Sequence, residues 1–231
     1  MATDSYNQTN YQPLAFWQNK IVSDKSNLSR QPSTIASEKI SRCIEENISL
    51  GNYAVAISLL DELIARYPNS AINYNNRGLV YFRLARISQA LDDLDMAIAI
   101  NPKLDSAYNN RANCHAAVGN LVAAVSDYDL ALDFNPANIR AWINQGITYR
   151  QMKAYDLALE NFEIALFLGN SFKAKIYAER GRTYHLRGDW NCAVADYKTA
   201  LAMMSELPAK SDRQKVRSWL NELLKPLQFP F

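Results

Sequence analysis

An excess of charge of either sign is missing from this sequence: 25 Lys and Arg face 23 Asp and Glu over 231 residues, so no bulk field draws in nucleic acid or acidic lipid. Glycine and proline are scarce, at seven and eight, which argues against a turn-rich β-sandwich and for helices with few interruptions. Cys43, Cys114 and Cys192 lie far apart without CxxC spacing, and His115 and His185 do not complete a common zinc set with them. Neither a disulfide framework, a structural metal nor a cofactor is indicated. No run of 18 apolar residues occurs, and the opening MATDSYNQTN lacks the basic and apolar stretches of an export signal. A cytoplasmic, reducing compartment without a membrane span is the expectation. At 48% hydrophobic and 21% charged the composition is that of a globular chain, and an all-α fold is expected.

What is present is a repeat. Pro68, Pro102 and Pro136 are 34 residues apart, and Ala56, Ala90, Ala124 and Ala158 keep the same step, as do Tyr74, Tyr108 and Trp142. Gly146 is followed by Gly181 after 35, a slip placed at Lys173. In register the units run 37–70, 71–104, 105–138, 139–172 and 174–207, with 1–36 as a polar, disordered N-terminal segment and 208–231 as a cap and apolar tail. Offsets below count from the first residue of a unit.

These units resemble the tetratricopeptide repeat (TPR), with its aromatic, Gly and Tyr on a first helix, Ala and an aromatic on a second, and a closing Pro. Unit 71–104 supplies Tyr74, Gly78, Tyr81, Ala90, Leu94, Ala97 and Pro102, and the last unit Tyr177, Gly181, Tyr184, Ala193, Tyr197 and Ala200. The first unit is atypical, with Ile40, Ile44 and Asn47 at the motif positions, as end repeats are. The last two units have Asn170 and Ser205 in place of the closing Pro. The resemblance implies a right-handed superhelix of antiparallel hairpins with a concave groove. Small residues at Gly78, Ala90 and Ala97 let paired helices approach closely. Gly51, Gly119 and Gly188 share an offset where the chain leaves the first helix through a left-handed turn. At offsets 7 and 23 the residues vary together: Arg77/Asp93, Arg111/Asp127, Gln145/Asn161, Arg180/Asp196 and, in the first unit, Cys43/Leu59. Contact between the two helices of a unit is inferred.

Val216, Trp219, Leu220, Leu223 and Leu224 form one stripe of a capping helix ended by Pro226. Leu227, Phe229 and Phe231 alternate beyond it, and Leu14, Phe16 and Trp17 cluster near the start. Either segment is a candidate occupant of the chain's own groove.

In TPR arrays certain first-helix offsets face the groove, which makes the candidate peptide-binding residues Asn75, Asn76, Asn109, Asn110, Asn113, Asn144, Arg83, Arg140, Arg150, Lys175 and Arg182. An amide offers both donor and acceptor, as a peptide backbone does, so a row of them suits an extended chain of any sequence. From residue 172 onward cations exceed acids by five, so an acidic or C-terminal peptide partner is expected to be oriented by charge. The carboxylate clamp of TPR cochaperones is matched by Asn113, Asn144 and Lys175 but opposed by Glu179. No catalytic constellation appears: His185 stands at a groove offset without a triad. The expected function is a non-catalytic protein-binding scaffold. A membrane-complex or photosynthetic assembly factor and an RNA-binding helical repeat are the alternatives. A homodimer through stacked end units stays open.

Overall fold

The computed structural model describes residues 32–169, 172–204 and 210–225. Leu14, Phe16, Trp17, Asn170, Ser205, Leu227, Phe229 and Phe231 lie outside the described residues. The described residues form eleven helices and no strand: α1 (Pro32–Ser49), α2 (Tyr53–Arg66), α3 (Ala71–Arg83), α4 (Ile87–Ile100), α5 (Asp105–Ala117), α6 (Leu121–Phe134), α7 (Ile139–Gln151), α8 (Tyr155–Leu168), α9 (Lys173–Arg187), α10 (Trp190–Met204) and α11 (Lys210–Leu224). The first helix begins inside the span 1–36 read as an N-terminal segment. The described residues divide between Val118 and Gly119 into two compact units.

In the first unit each helix packs on the next, and α3 also meets α5. Ile44, Ile48, Leu60 and Val80 make one core, and Phe82, Leu94, Ala97 and Cys114 another. The second unit repeats the scheme from α6 to α11, with α7 on α9 and α9 on α11. Its cores gather Ile143, Phe162 and Ile176, then Tyr197, Met204, Val216 and Leu223. The apolar stripe expected of α11 therefore covers α10, with Trp219 and Leu220 packed beside it.

Two backbone devices repeat. A methyl added at Gly78 would stand 2.9 Å from Leu94 Cγ, and one at Gly146 2.9 Å from Phe162 Cε1, so the close approach of paired helices depends on the missing Cβ. At offset 15 Gly51, Gly119 and Gly188 take φ of +79°, +82° and +98°, and the same offset in the other two units holds Ala85 at +57° and Lys153 at +62°. The turn is a property of the repeat, and two units adopt it with a side chain that disfavours it.

The inferred offset 7–23 contacts form as charged pairs in the repeats that start at 71 and 174. Arg77 donates to both carboxylate oxygens of Asp93 at 2.8 and 2.7 Å, and Arg180 does the same to Asp196 at 2.8 and 3.0 Å. Each of these guanidiniums also lies between two tyrosine rings, Tyr74 and Tyr81 or Tyr177 and Tyr184. Gln145 departs from the pattern: it donates to Asp129 at 2.6 Å, while Asn161 turns back to the Leu157 carbonyl at 3.0 Å. A neutral amide gains more from a carboxylate than from another amide. In the first repeat Cys43 is exposed and Leu59 packs on the first core.

A second contact escaped the sequence analysis. Arg77 also holds Asp61 at 2.6 Å and Arg111 holds Asp95 at 2.8 Å, as Gln145 holds Asp129. Each acid sits 16 residues before its partner, as Asp93 sits 16 after Arg77. The same step in both directions was the signal: offset 7 is stapled both to its own hairpin and to the preceding one. Tyr108 and Trp142 add a further tie, donating at 3.1 and 2.8 Å to the carbonyls of Pro102 and Pro136.

Candidate functional site

The candidate residues divide by unit. Asn75, Asn76, Asn109, Asn110, Asn113 and Arg83 lie on α3 and α5, and Asn144, Arg140, Arg150, Lys175 and Arg182 lie on α7 and α9.

In the first unit none of the five asparagines is more than 5% exposed. Asn110 donates to Asn75 Oδ1 across α5 and α3 at 2.9 Å, Asn75 donates to Asn76 at 3.3 Å, and Asn109 donates to Asn110 at 3.4 Å. Asn75, Asn76, Asn109 and Asn110 are thus brought together, and their complementary donors and acceptors serve one another. Buried amides are stable only when bonded, so this chain of bonds fixes how α3 meets α5. Asn144 is likewise buried on α7, where Thr148 donates to its carbonyl at 2.9 Å. Arg83 is half-buried at the end of α3.

The second unit carries charge at the corresponding positions. Offset 6, Asn in α3, α5 and α7, is Glu179 in α9. This carboxylate is 1% exposed, and Arg150 reaches it from α7, with 2.7 Å to Oε2 and 2.9 Å to the Glu179 carbonyl. Arg140 and Lys175, both at offset 2, are half-buried, and the Arg140 guanidinium lies 4.9 Å from the Phe172 ring centre. Burial holds both cations below their ordinary pKa. At Lys175 the carboxylates of Glu179 and Asp212 oppose that shift, while Arg140 and Lys215 deepen it. Arg182 bonds Glu222 of α11 at 3.0 Å and lies 5.4 Å from the Trp219 ring centre. His185 Nδ1 lies 3.2 Å from the Arg182 guanidinium and 3.3 Å from the Tyr197 hydroxyl. Arg182 can only donate, so Nδ1 accepts from it, and burial with the Arg182 charge lowers the pKa of the ring.

Repeated hairpins, the left-handed turns at offset 15 and the ties to proline carbonyls define the unit, and the tetratricopeptide-repeat family model matches residues 48–105. Residues 48–105 are tetratricopeptide repeats, and the chain takes the fold of TPR proteins. Its fold is similar to that of a thermophilic TPR protein from Thermus thermophilus, at 20% identity and a TM-score of 0.68 over 81% of this chain and 98% of that one. It is also similar to pilF of Pseudomonas aeruginosa (18%, 0.65, 86% and 94%) and to MamA of Desulfovibrio magneticus RS-1 (14%, 0.61, 75% and 97%). No curated protein matches the chain. TPR proteins generally mediate protein–protein interactions, and the TPR fold is typically a non-catalytic scaffold. Among the described residues no helix is long and apolar enough to cross a membrane, and no group of His, Cys, Asp or Glu is arranged to hold a metal ion.

The residue that sequence reasoning missed is Lys215. It lies on α11, outside the repeat register, with Nζ 5.0 Å from the Trp219 ring centre. Its charge is disfavoured first by burial and then by Arg150 and Arg182, against the pull of Glu179 and Asp212. The spacing of Lys215, Trp219 and Glu222 at i, i+4 and i+7 was the available signal, since it puts all three on one side of a helix.

Proposed function

We propose that this TPR protein is a non-catalytic interaction module whose second unit holds an acidic, extended segment of a partner protein against α7 and α9. The observation that carries the reading is the pairing of Arg140 and Lys175 at the same offset of two helices that pack on each other, both partly desolvated. Cations in such surroundings gain more from an anion than fully hydrated ones, because part of their hydration has already been given up. Arg150 and Arg182 flank them and are engaged by Glu179 and Glu222, which keeps the row from being a featureless positive surface.

Fluorescence anisotropy with a labelled peptide of alternating Glu and Ser, against the matching Gln-Ser peptide, tests the reading. Binding of the Glu peptide should be the tighter, and Arg140→Glu with Lys175→Glu should weaken it about tenfold or more while the circular dichroism spectrum stays helical. Equal binding of the two peptides by the unmodified protein would remove the proposal.

A further inference from the structure

The helix that closes the array is held in two ways. Val216 and Leu223 turn into the core that α11 shares with α10. A polar latch ties it to α9, with one nitrogen of Arg182 at its centre. Nη1 lies 3.0 Å from Glu222 Oε2 on α11 and 3.2 Å from His185 Nδ1, about one turn further along α9. A guanidinium Nη carries two N–H groups and no acceptor, so one hydrogen serves the carboxylate and the other the imidazole. The same guanidinium lies over the Trp219 ring, 5.4 Å from its centre, and the Tyr197 hydroxyl of α10 stands 3.3 Å from Nδ1. The imidazole meets the Tyr197 ring edge-on, and that ring centre lies 6.1 Å from the Trp219 ring centre.

From this arrangement we infer that His185 is a pH-sensitive switch on the cap: as an acceptor it steers Arg182 onto Glu222, and once protonated it turns Arg182 away and loosens α11 from α9. A proton from water takes the Nδ1 lone pair that Arg182 uses and sets a second positive charge beside the guanidinium. A hydrogen bond becomes two donors and two cations face to face. The Tyr197 oxygen accepts the new N–H in place of Arg182 donating to the ring. Burial first, and the Arg182 charge second, hold the ring below the ordinary histidine pKa, against the pull of Glu222. Burial pushes Tyr197 up to about 12, so its hydroxyl stays neutral. Arg150 of α7 is engaged by Glu179, and Asp156 of α8 by Arg187. Because docking weakens proton binding at His185, the docked cap is favoured fully above about pH 6.5 and less as the pH falls below it. That window lies above the ordinary range of carboxylates.

The experiment uses the full chain and no ligand, so its outcome is independent of the peptide-binding reading. The sequence has two histidines, His115 and His185. NMR titration of the imidazole protons, assigned with His115→Gln, should show His185 titrating below about 6.5. Arg182→Gln should bring that titration back up, and Glu222→Gln should lower it further. Hydrogen exchange in α11, taken as protection relative to the unfolded-chain rate at each pH, should fall at least about threefold from about pH 7.5 to about pH 5.5, while α3 and α4 hold theirs. His185→Asn keeps an acceptor near the place of Nδ1 and does not titrate, so it should abolish the fall. Should that variant fold poorly, Glu222→Gln replaces it: without the carboxylate there is no latch to open, and the fall should likewise vanish. Titration of His185 at or above about 6.5, equal protection of α11 at the two pH values, or a fall that persists in the variants would each overturn the inference.

Discussion

The two units place the same helical position in contrasting service. At offset 6 the first unit has Asn76 and Asn110, neutral groups tied into a chain of amide bonds from α3 to α5. In the second, the row passes from Asn144 on α7 to Glu179 on α9, a buried carboxylate held by Arg150. Geometry is common to both because the hairpin repeats. Chemistry differs because a buried neutral amide needs a hydrogen-bond partner, whereas a buried carboxylate needs a counter-charge as well. One row is therefore an internal staple of amides, and the other ends in a buried charge pair.

The sharpest way to break that comparison is to remove the counter-charge. Arg150→Ala should destabilise the protein by about 3 kcal/mol, because the buried Glu179 loses the guanidinium bonded to it, and urea unfolding measures it. Adding Glu179→Gln should recover most of the loss. A double variant as unstable as Arg150→Ala would show that packing rather than charge governs the site.

Next in size is the staple on either side of offset 7. Asp93 is buried and bidentate to Arg77, so Asp93→Ala should cost about 3 kcal/mol. Asp61 is exposed, and Asp61→Ala should cost under about 1 kcal/mol. Similar losses from the two would mean that burial does not decide the strength of these bonds.

In the amide row, Asn110→Ala should cost about 1–2 kcal/mol by leaving Asn75 without its donor. Asn75→Ala added to it should cost less than the sum of the two single losses, since the two share the Asn110–Asn75 bond. Fully additive effects would argue that the two amides act independently.

The smallest change runs the other way. Ala85→Gly and Lys153→Gly should each raise stability, by up to about 1 kcal/mol, because both residues hold a left-handed φ that glycine adopts freely. Gly119→Ala is the reverse substitution and should lower the melting temperature. A gain in one unit and none in the other would show that the turn is strained differently in the two halves.

Much of the fold was legible in the sequence because the repeat states the same constraint several times. Gly78, Gly146 and Gly181 mark close approach, Gly51, Gly119 and Gly188 mark the left-handed turn, and covariation of offsets 7 and 23 identified Arg77 with Asp93 and Arg180 with Asp196 before any coordinates. The site was less legible. A row of asparagines at one offset looks the same whether the amides meet a ligand or one another. The distinction lies in how far the odd-numbered helices stand apart, which no single unit states. Gln145 likewise had two acceptors at equal separation in sequence, and the more negative one drew it away from Asn161.

By itself, then, the sequence determined the hairpin: its period, its turn, its small-residue seam and the charged pairs within it, all consequences of local spacing along a helix. Tertiary structure alone decided which polar groups meet across neighbouring hairpins, and so which amides are buried and which acid Arg150 and Arg182 each hold. Those contacts bring together side chains from separate helices, and whether they form depends on distance and desolvation in three dimensions, quantities that no periodicity encodes.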